Sequence, residues 1–519
     1  MSLAKRVALS LLLVAGLPPG LSEAATLTVA LDGQADFSSL EAAIDASVGG
    51  DEVLLGPGSF VLTGALDLSG KEIELKGSGV GLTRVDVGCN PVLLNDLGPS
   101  ALLQDLTFFS SRPDCGLTGA PLLSGVSNST PTIRRVALTG EGHVGAALRG
   151  PSGATSSGLI EDFYLERIGT GCPAGVDLVL SDQPSQARRV ALFSPCHSSL
   201  SAEGGSVNLS NLLVIGAWEL GGLSVMDSDF VGTFLTIAHT PVPGNQAAIR
   251  VSPLSIPQLQ SSVFASPSLA GVWVYCEPPL QSHDPMDFSW TVNYPSPPGI
   301  PHFADTNLGT CPYVWSSPYP LGVNGNVVAD PQFIGWNPDN DPGNDNLCPG
   351  IGSPLTDAGD PALMDPDGSR ADIGAFGGPF AFTCAEVLDA DGDGYRPVTG
   401  DCDDSDPARF PFNIEVHCDG VDQDCDGSDP QTGCPGDDDD SSGDDDDSSG
   451  DDDDSSVDDD DSSVDDDDSS SNDDDAADDD DLADDDDDAP AGCGCQGTRG
   501  GALLPLLLVG GLRRKRGRL

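Results

Sequence analysis

Short apolar runs recur along residues 26–383, and none continues into a long helical period. Aligned, they read Leu103-Gln-Asp-Leu-Thr-Phe108, Ile133-Arg-Arg-Val-Ala-Leu138, Ile160-Glu-Asp-Phe-Tyr-Leu165, Ala187-Arg-Arg-Val-Ala-Leu192, Leu209-Ser-Asn-Leu-Leu-Val214, Gly232-Thr-Phe-Leu-Thr-Ile237 and Leu259-Gln-Ser-Ser-Val-Phe264. The intervals are 30, 27, 27, 22, 23 and 27 residues. Each run ends in alternating apolar residues, the inward and outward pattern of a strand, and lies between glycine- or serine-rich turns. A period of this length means one supersecondary unit per repeat, stacked so that neighbours share a core. Without helix, that unit is the coil of a parallel β-helix. Propeller blades would be longer and more regular. A sandwich would place strands every 8–12 residues with hairpin turns between them.

The start of this region has its own pattern. Asp36-Phe-Ser-Ser-Leu-Glu-Ala-Ala-Ile44 predicts a short capping helix with Leu40, Ala43 and Ile44 on one face. Asp51-Glu-Val-Leu-Leu-Gly-Pro-Gly-Ser-Phe-Val-Leu62 predicts two strands joined at a Gly-Pro-Gly corner. Further on, Ser353-Pro-Leu-Thr-Asp-Ala-Gly-Asp-Pro361 and Asp365-Pro-Asp-Gly-Ser-Arg-Ala-Asp-Ile-Gly-Ala-Phe-Gly-Gly-Pro379 look like a closing segment. Together these stretches resemble the right-handed β-helix proteins of the pectin lyase-like group, most specifically at Asp367-Gly-Ser-Arg-Ala-Asp-Ile-Gly374. The resemblance implies an all-β, right-handed parallel β-helix over residues 25–383.

Pectinolytic members of that group cut sugars with clustered carboxylates, or with calcium and a basic residue. The outward acids here, Asp105, Glu161, Asp162, Asp177 and Asp182, are scattered. On the aligned runs Asp105 matches Arg135, Asp162 and Arg189, so stacked Asp/Arg pairs would neutralise one another. A salt-bridged ladder is the reading favoured over a paired-carboxylate glycosidase site. His143, His197, His239, His283 and His302 form no short-range ligand pair. The sequence assigns no catalytic residue.

Residues 384–434 carry the most specific chemistry. Asp389-Ala-Asp391-Gly-Asp393-Gly-Tyr395 sets carboxylates at positions 1, 3 and 5, glycine at 6 and a backbone carbonyl at 7. Asp422-Gln-Asp424-Cys-Asp426-Gly-Ser428 repeats the spacing. Alternate carboxylates around a glycine turn converge on one hard cation, which takes six to eight oxygens. Gly400 and Gly433 stand where an EF-hand has its bidentate glutamate, so these are not EF-hands; Asp401 could complete the first loop. The block from Asp401-Cys-Asp-Asp-Ser-Asp-Pro407 through Glu415-Val-His-Cys418 to Asp422-Gln-Asp-Cys425-Asp-Gly427 resembles the metal-binding repeats of bacterial surface proteins, the MopE type. Copper, associated with one member of that group, would need soft or imidazole ligands, and only His417 is near. Calcium is therefore the expected ion, with an unfilled Asp-turn module as the alternative.

Charge and termini place the protein. From Asp437 to Asp468 four aspartates, two serines and a spacer repeat every seven residues, with no apolar pair to make a coiled coil. Such a segment has nothing to bury, so residues 435–491 are expected to be a disordered stalk. Residues 437–488 could reach on the order of 150–180 Å. They hold 32 aspartates, so the formal charge of −61 leaves −61 + 32 = −29 for the rest. An acidic body without basic, aromatic-interleaved patches makes nucleic acid an unexpected partner. Lys5 and Arg6 before the apolar Val7–Leu17, then Ser22-Glu-Ala24, predict a signal peptide over residues 1–24, cut after Ala24. No cysteine follows that cut. At the other end Gly492-Cys493-Gly-Cys495, the 11-residue run Ala502–Leu512 and the cluster Arg513-Arg-Lys-Arg-Gly-Arg518 resemble the MYXO-CTERM sorting signals of Gram-negative surface proteins. The resemblance implies processing near Cys493 or Cys495 and anchoring at the outer membrane through residues 492–519.

Export implies an oxidising compartment, which suits 14 cysteines. Cys89–Cys115 and Cys172–Cys196 are 26 and 24 residues apart, about one coil, and Cys276–Cys311 and Cys348–Cys384 are 35 and 36 apart. Residues one coil apart stack at about 4.8 Å, within disulfide reach. These four pairs are the expected bridges among 105 connectivities. The functional expectation is an exported, surface-anchored, non-catalytic adhesin or glycan-binding β-helix with a calcium-ordered module. Its partners would be an unidentified surface or extracellular glycan or protein, and the sorting machinery. The alternative is a polysaccharide lyase or glycoside hydrolase on the same fold.

Overall fold

The computed structural model describes residues 24–431 apart from 112–120, 141–144, 151–157, 168–175, 182–183, 195–197, 218–221, 241–247, 253–254, 266–271, 275–286, 290, 294–302, 306–323 and 338–341. Among the described residues two parallel sheets, of 16 and 10 strands, run side by side along the chain. Helix Leu40–Ala46 caps the first coil, its N-cap Ser39 accepting from Ala42 N, and buries Leu40, Ala43 and Ile44. Strands Glu52–Leu55 and Gly58–Val61 meet at the Gly-Pro-Gly corner. Ala24 is exposed and sits just before the first strand, Thr26–Val29.

The larger sheet reproduces the alignment of the apolar runs. Leu103 pairs with Ile133, Ile133 with Ile160, Ile160 with Ala187, Ala187 with Leu209, Leu209 with Gly232 and Gly232 with Leu259. All these pairings are parallel, one rung per coil, and the chain is a parallel β-helix.

Simple alternation does not hold inside each run. The third residue of every run, Asp105, Arg135, Asp162, Arg189, Asn211, Phe234 and Ser261, is left-handed, with φ between 47° and 59°. Each is skipped in the pairing: Arg134 pairs with Glu161, and Val136 with Phe163. One left-handed residue bends the strand and flips its parity. The first, fourth and sixth positions therefore face the core, as with Leu103, Leu106 and Phe108 or Ile160, Phe163 and Leu165. The left-handed side chains stack as ion pairs, Arg135 Nη2 to Asp105 Oδ2 at 2.7 Å and Arg189 Nε to Asp162 Oδ1 at 2.5 Å. Glu161 lies between Arg134, at 2.9 Å, and Arg188. Asp182, His143, His197, His283 and His302 lie outside the described residues, as do the side chains of Asp177 and His239.

Beyond the bend, the outward positions are not solvent-exposed. Ala137, Tyr164, Ala191, Phe193, Leu213, Ile215 and Ala238 form a second apolar cluster with Phe376, Phe382, Val387 and Val398. The chain segment after residue 353 runs back along this face, from the last coils to the first. Gly374 N donates to Ser261 O, Ala375 N to Thr236 Oγ1, and the Asn211 amide to the carbonyls of Ala375 and Gly377. Arg189 Nη1 then reaches Ala381 O at 2.7 Å, Arg396 meets Glu166, and Arg84 Nη1 reaches Asp424 O at 2.6 Å. The solenoid numbers fall while the returning numbers rise. Close approach needs glycine at Gly378 (φ 79°), where an added Cβ would lie 2.4 Å from the Phe234 ring.

Cys348 and Cys384 are joined, with Cα atoms 5.8 Å apart. A second bond, Cys402–Cys425, falls outside the coil-period pairs, because neither cysteine lies on a coil. Cys89 and Cys418 are also disulfide-bonded. Cys115, Cys172, Cys196, Cys276, Cys311, Cys493 and Cys495 lie outside the described residues.

Candidate metal centre

The first loop follows helix Cys384–Val387, whose start is tied down by the Cys348 disulfide. Asp389 accepts from the turn with both oxygens, Asp391 and Asp393 with one each. Asp389 accepts from Gly392 N at 2.7 Å and Gly394 N at 3.0 Å, Asp391 Oδ1 from Asp393 N at 3.2 Å, and Asp393 Oδ1 from Tyr395 N at 2.8 Å. Gly392 and Gly394 take φ of 83° and 94°, which permits so tight a wrap. One oxygen from each of Asp389, Asp391 and Asp393 then falls within 4.8 Å of the other two. The Tyr395 ring stacks on Phe410 at 5.3 Å, fixing the end of the loop.

Asp401 and Asp404 approach the same loop. Asp404 Oδ1 accepts from Ala390 N at 2.8 Å, and Asp401 Oδ1 from Asp403 N at 2.9 Å. The remaining oxygens Asp391 Oδ2, Asp393 Oδ2 and Asp401 Oδ2 are buried with no hydrogen-bond partner. Burial foremost, and then the neighbouring carboxylates, push Asp393 up to about 7 and Asp401 up to about 6. Asp389 and Asp404 are raised for the same leading reason. Buried, unpaired, mutually repelling oxygens are what a hard cation relieves.

The second loop converges on a different set from the one its spacing suggests. Asp422 accepts from Asp426 N at 3.2 Å and Gly427 N at 2.9 Å, and Asp424 Oδ1 from Asp426 N at 3.1 Å. The third group near them is Glu415, with one oxygen from each of the three within 4.8 Å. Glu415 Oε2 accepts from Gln423 N and Asp424 N, while Oε1 is buried without a partner. Asp426 turns instead to Ser428, accepting from its N and Oγ, so neither joins the cluster. His417 is exposed and outside both clusters.

Both loops are braced. The Cys402–Cys425 disulfide links them, and Arg409 Nη1 holds Asp403 Oδ2 at 2.6 Å. From the solenoid, buried Arg84 contacts Asp424 Oδ2 at 3.3 Å and lies over the Phe412 ring at 5.0 Å. Phe109 packs on the same ring, with centroids 4.2 Å apart. Spacing alone could not find Glu415, Asp404 or Arg84, because each arrives from outside the loop it serves. The donors fit a hard, oxygen-loving cation. Every described cysteine is in a disulfide and offers no thiolate.

A pH dependence follows for the metal-free protein. Raised carboxylate pKa values mean that the folded state keeps protons which the unfolded chain releases above about pH 4. Stability in chelator should therefore fall as pH rises from about 4 to about 7. Added cation should remove most of that fall. Melting temperatures in chelator that stay level across the window, or climb, would contradict the assigned electrostatics.

The Cu-binding_MopE family model, described as "Putative metal-binding motif", matches residues 401–429. No curated protein matches the chain. Among solved structures, pectate lyase Pel9A is similar at 14% identity and TM-score 0.33, over 69% of this chain and 97% of that one. Pectin methylesterase from carrot is similar at 11% identity and TM-score 0.27, over 60% and 90%. A pectin methylesterase in complex with a hexasaccharide gives 12% identity and 0.21, over 54% and 80%. The β-helix assignment rests on the sheet register described above.

Proposed function

We propose that this protein is an exported, surface-anchored β-helix that presents a non-catalytic adhesive or glycan-binding surface, its returning C-terminal segment fastened by calcium. The observation that supports the non-catalytic reading is the pairing of charges on the outer coils. Asp105 is held by Arg135, Asp162 by Arg189, and Glu161 by both Arg134 and Arg188. Carboxylates committed to guanidinium groups are poor proton donors or acceptors for sugar chemistry. Calcium is favoured by the all-carboxylate clusters; copper enters through the name of the family model alone. The signal-peptide and sorting-tail patterns support export and anchoring.

A screen of neutral and anionic polysaccharides, scored for binding and for chain shortening, tests the reading. Retention of at least one glycan with no change in its length is expected. Shortening of any bound glycan would replace this reading with a lyase or hydrolase on the same fold.

A further inference from the structure

The larger sheet has a second outer face, upstream of the left-handed ladder, which the returning segment borders along one side. There each coil presents two outward positions in register. Leu159, Gln186, Asn208 and Val231 form one row, and Glu161, Arg188, Ser210 and Thr233 the other. Neighbouring rungs are about 4.8 Å apart, the spacing of paired strands. Over these coils the face dips into an open groove of about 260 Å³, walled on one side by Phe380 of the returning segment.

The groove is chemically mixed along its length. Leu159 and Val231 close its two ends with apolar surface, and Phe380 adds an aromatic edge. Gln186 and Asn208 are exposed in the middle, and their amides have no hydrogen-bond partner among the described residues. The opposite row is already ordered: Thr233 Oγ1 donates to Ser210 Oγ at 3.1 Å, and Ser210 Oγ to Asn211 Oδ1 at 3.0 Å. Arg188 is held in place by Glu161 and lies 4.7 Å from the Phe380 ring centroid, yet its Nε is buried without a partner.

We infer that this groove binds a neutral glycan chain lying along the solenoid axis. The inference rests on the glycan-binding reading above and names its site and ligand class. Free side-chain amides offer a donor and an acceptor together, which match neighbouring hydroxyls on a sugar ring. Phe380 suits the C–H face of a sugar ring beside the amides, and Leu159 and Val231 those of rings at the two ends of the chain. One pyranose of an extended chain advances by a distance comparable to the coil rise, so successive rungs can meet successive sugars. The Arg188 charge is compensated by Glu161, so the row offers no free cation to recruit an anionic sugar. Outside residues 437–488 the chain still carries a formal charge of −61 + 32 = −29, which disfavours the approach of a polyanion.

The full-length protein and a Gln186→Ala/Asn208→Ala variant should be titrated calorimetrically with cellohexaose, mannohexaose and hexagalacturonate. Both substituted residues are exposed, so an unchanged melting temperature certifies the variant's fold. One neutral hexasaccharide should bind, and the variant should bind it about tenfold or more weakly, as expected for two lost hydrogen bonds to ligand. Equal binding by both proteins would put the glycan elsewhere and overturn this inference, leaving the general reading intact. Binding of hexagalacturonate alone would overturn the neutral class. Binding of none of the three would overturn this inference and, with an empty polysaccharide screen, the glycan-binding reading as well.

Discussion

Glu166→Gln should destabilise the protein by about 3–5 kcal/mol, the usual loss when one partner of a buried ion pair is removed. Glu166 and Arg396 are 230 residues apart in sequence, and their side chains are 4% and 2% exposed. Glu166 lies at the outward end of strand Leu159–Arg167, and Arg396 on the returning segment. Arg396 Nη1 donates to Glu166 Oε1, and Thr399 Oγ1 to Oε2 at 2.6 Å. Arg396 Nε also donates to Val387 O at 3.0 Å, and its guanidinium sits 4.1 Å from the Phe193 ring centroid. Burial pushes the Arg396 pKa down to about 10, which still leaves it charged at neutral pH. Glutamine keeps the volume and removes the counter-charge, so a cation is left buried against a neutral amide. The double variant Glu166→Leu/Arg396→Met should recover most of the loss, because paired apolar side chains need no desolvation. Urea unfolding of the single and double variants decides. A single-variant loss below about 1 kcal/mol would mean that the pair does not fasten the segment to the coil.

The solenoid was legible because every coil solves the same burial problem with the same three positions. Aligning Leu103, Ile133, Ile160, Ala187, Leu209, Gly232 and Leu259 by their apolar neighbours is the same act as stacking them. The bend was not legible. Left-handed backbone is commonly announced by glycine, asparagine or aspartate, whereas here arginine, phenylalanine and serine share the position with Asp105, Asp162 and Asn211. Stacking accounts for that tolerance, since Arg135 and Arg189 each gain an aspartate from the adjoining coil. The covered face did leave a signal. Ala137, Ala191 and Leu213 stand at outward positions where a solvated strand would carry polar groups.

The carboxylate clusters were half legible for a related reason. Spacing reports what a loop can do by itself, so Asp389, Asp391 and Asp393 were readable as one set. Glu415 reaches Asp422 and Asp424 by bonding the backbone of Gln423 and Asp424, a contact made by the folded loop and not by sequence interval. The Cys402–Cys425 bond shows the same limit: a coil period can suggest bridges within a solenoid, but says nothing about a segment packed outside it.

Replacing Asp391 and Asp393 together with asparagine should invert the order of stability, depending on whether cation is present. The turn survives the change, because the amide oxygens can still accept from Asp393 N and Tyr395 N. What disappears is up to two negative charges, Asp393 being only partly ionised at neutral pH, within a cluster that also holds Asp389 and lies near Asp401 and Asp404. In chelator at neutral pH the variant should therefore melt above the parent protein, since repulsion between buried carboxylates is relieved. In saturating calcium the parent should melt above the variant. Ligation at one site is worth about 2.7 kcal/mol when free ion stands at about 100 times Kd, and the variant forgoes that gain at its first loop. The Glu415, Asp422 and Asp424 cluster is present in both proteins and cancels in the comparison. Limited proteolysis of the returning segment should follow the same order, because the first loop lies between the Arg396–Glu166 pair and the Cys348–Cys384 bond. Thermal melts in chelator, calcium and copper(II) read all the arms. A parent protein indifferent to calcium but raised by copper(II) would reverse the choice of ion. A variant that is less stable than its parent in chelator would mean that the cluster is not a site of stored repulsion, and the physical case for a cation there would fall with it.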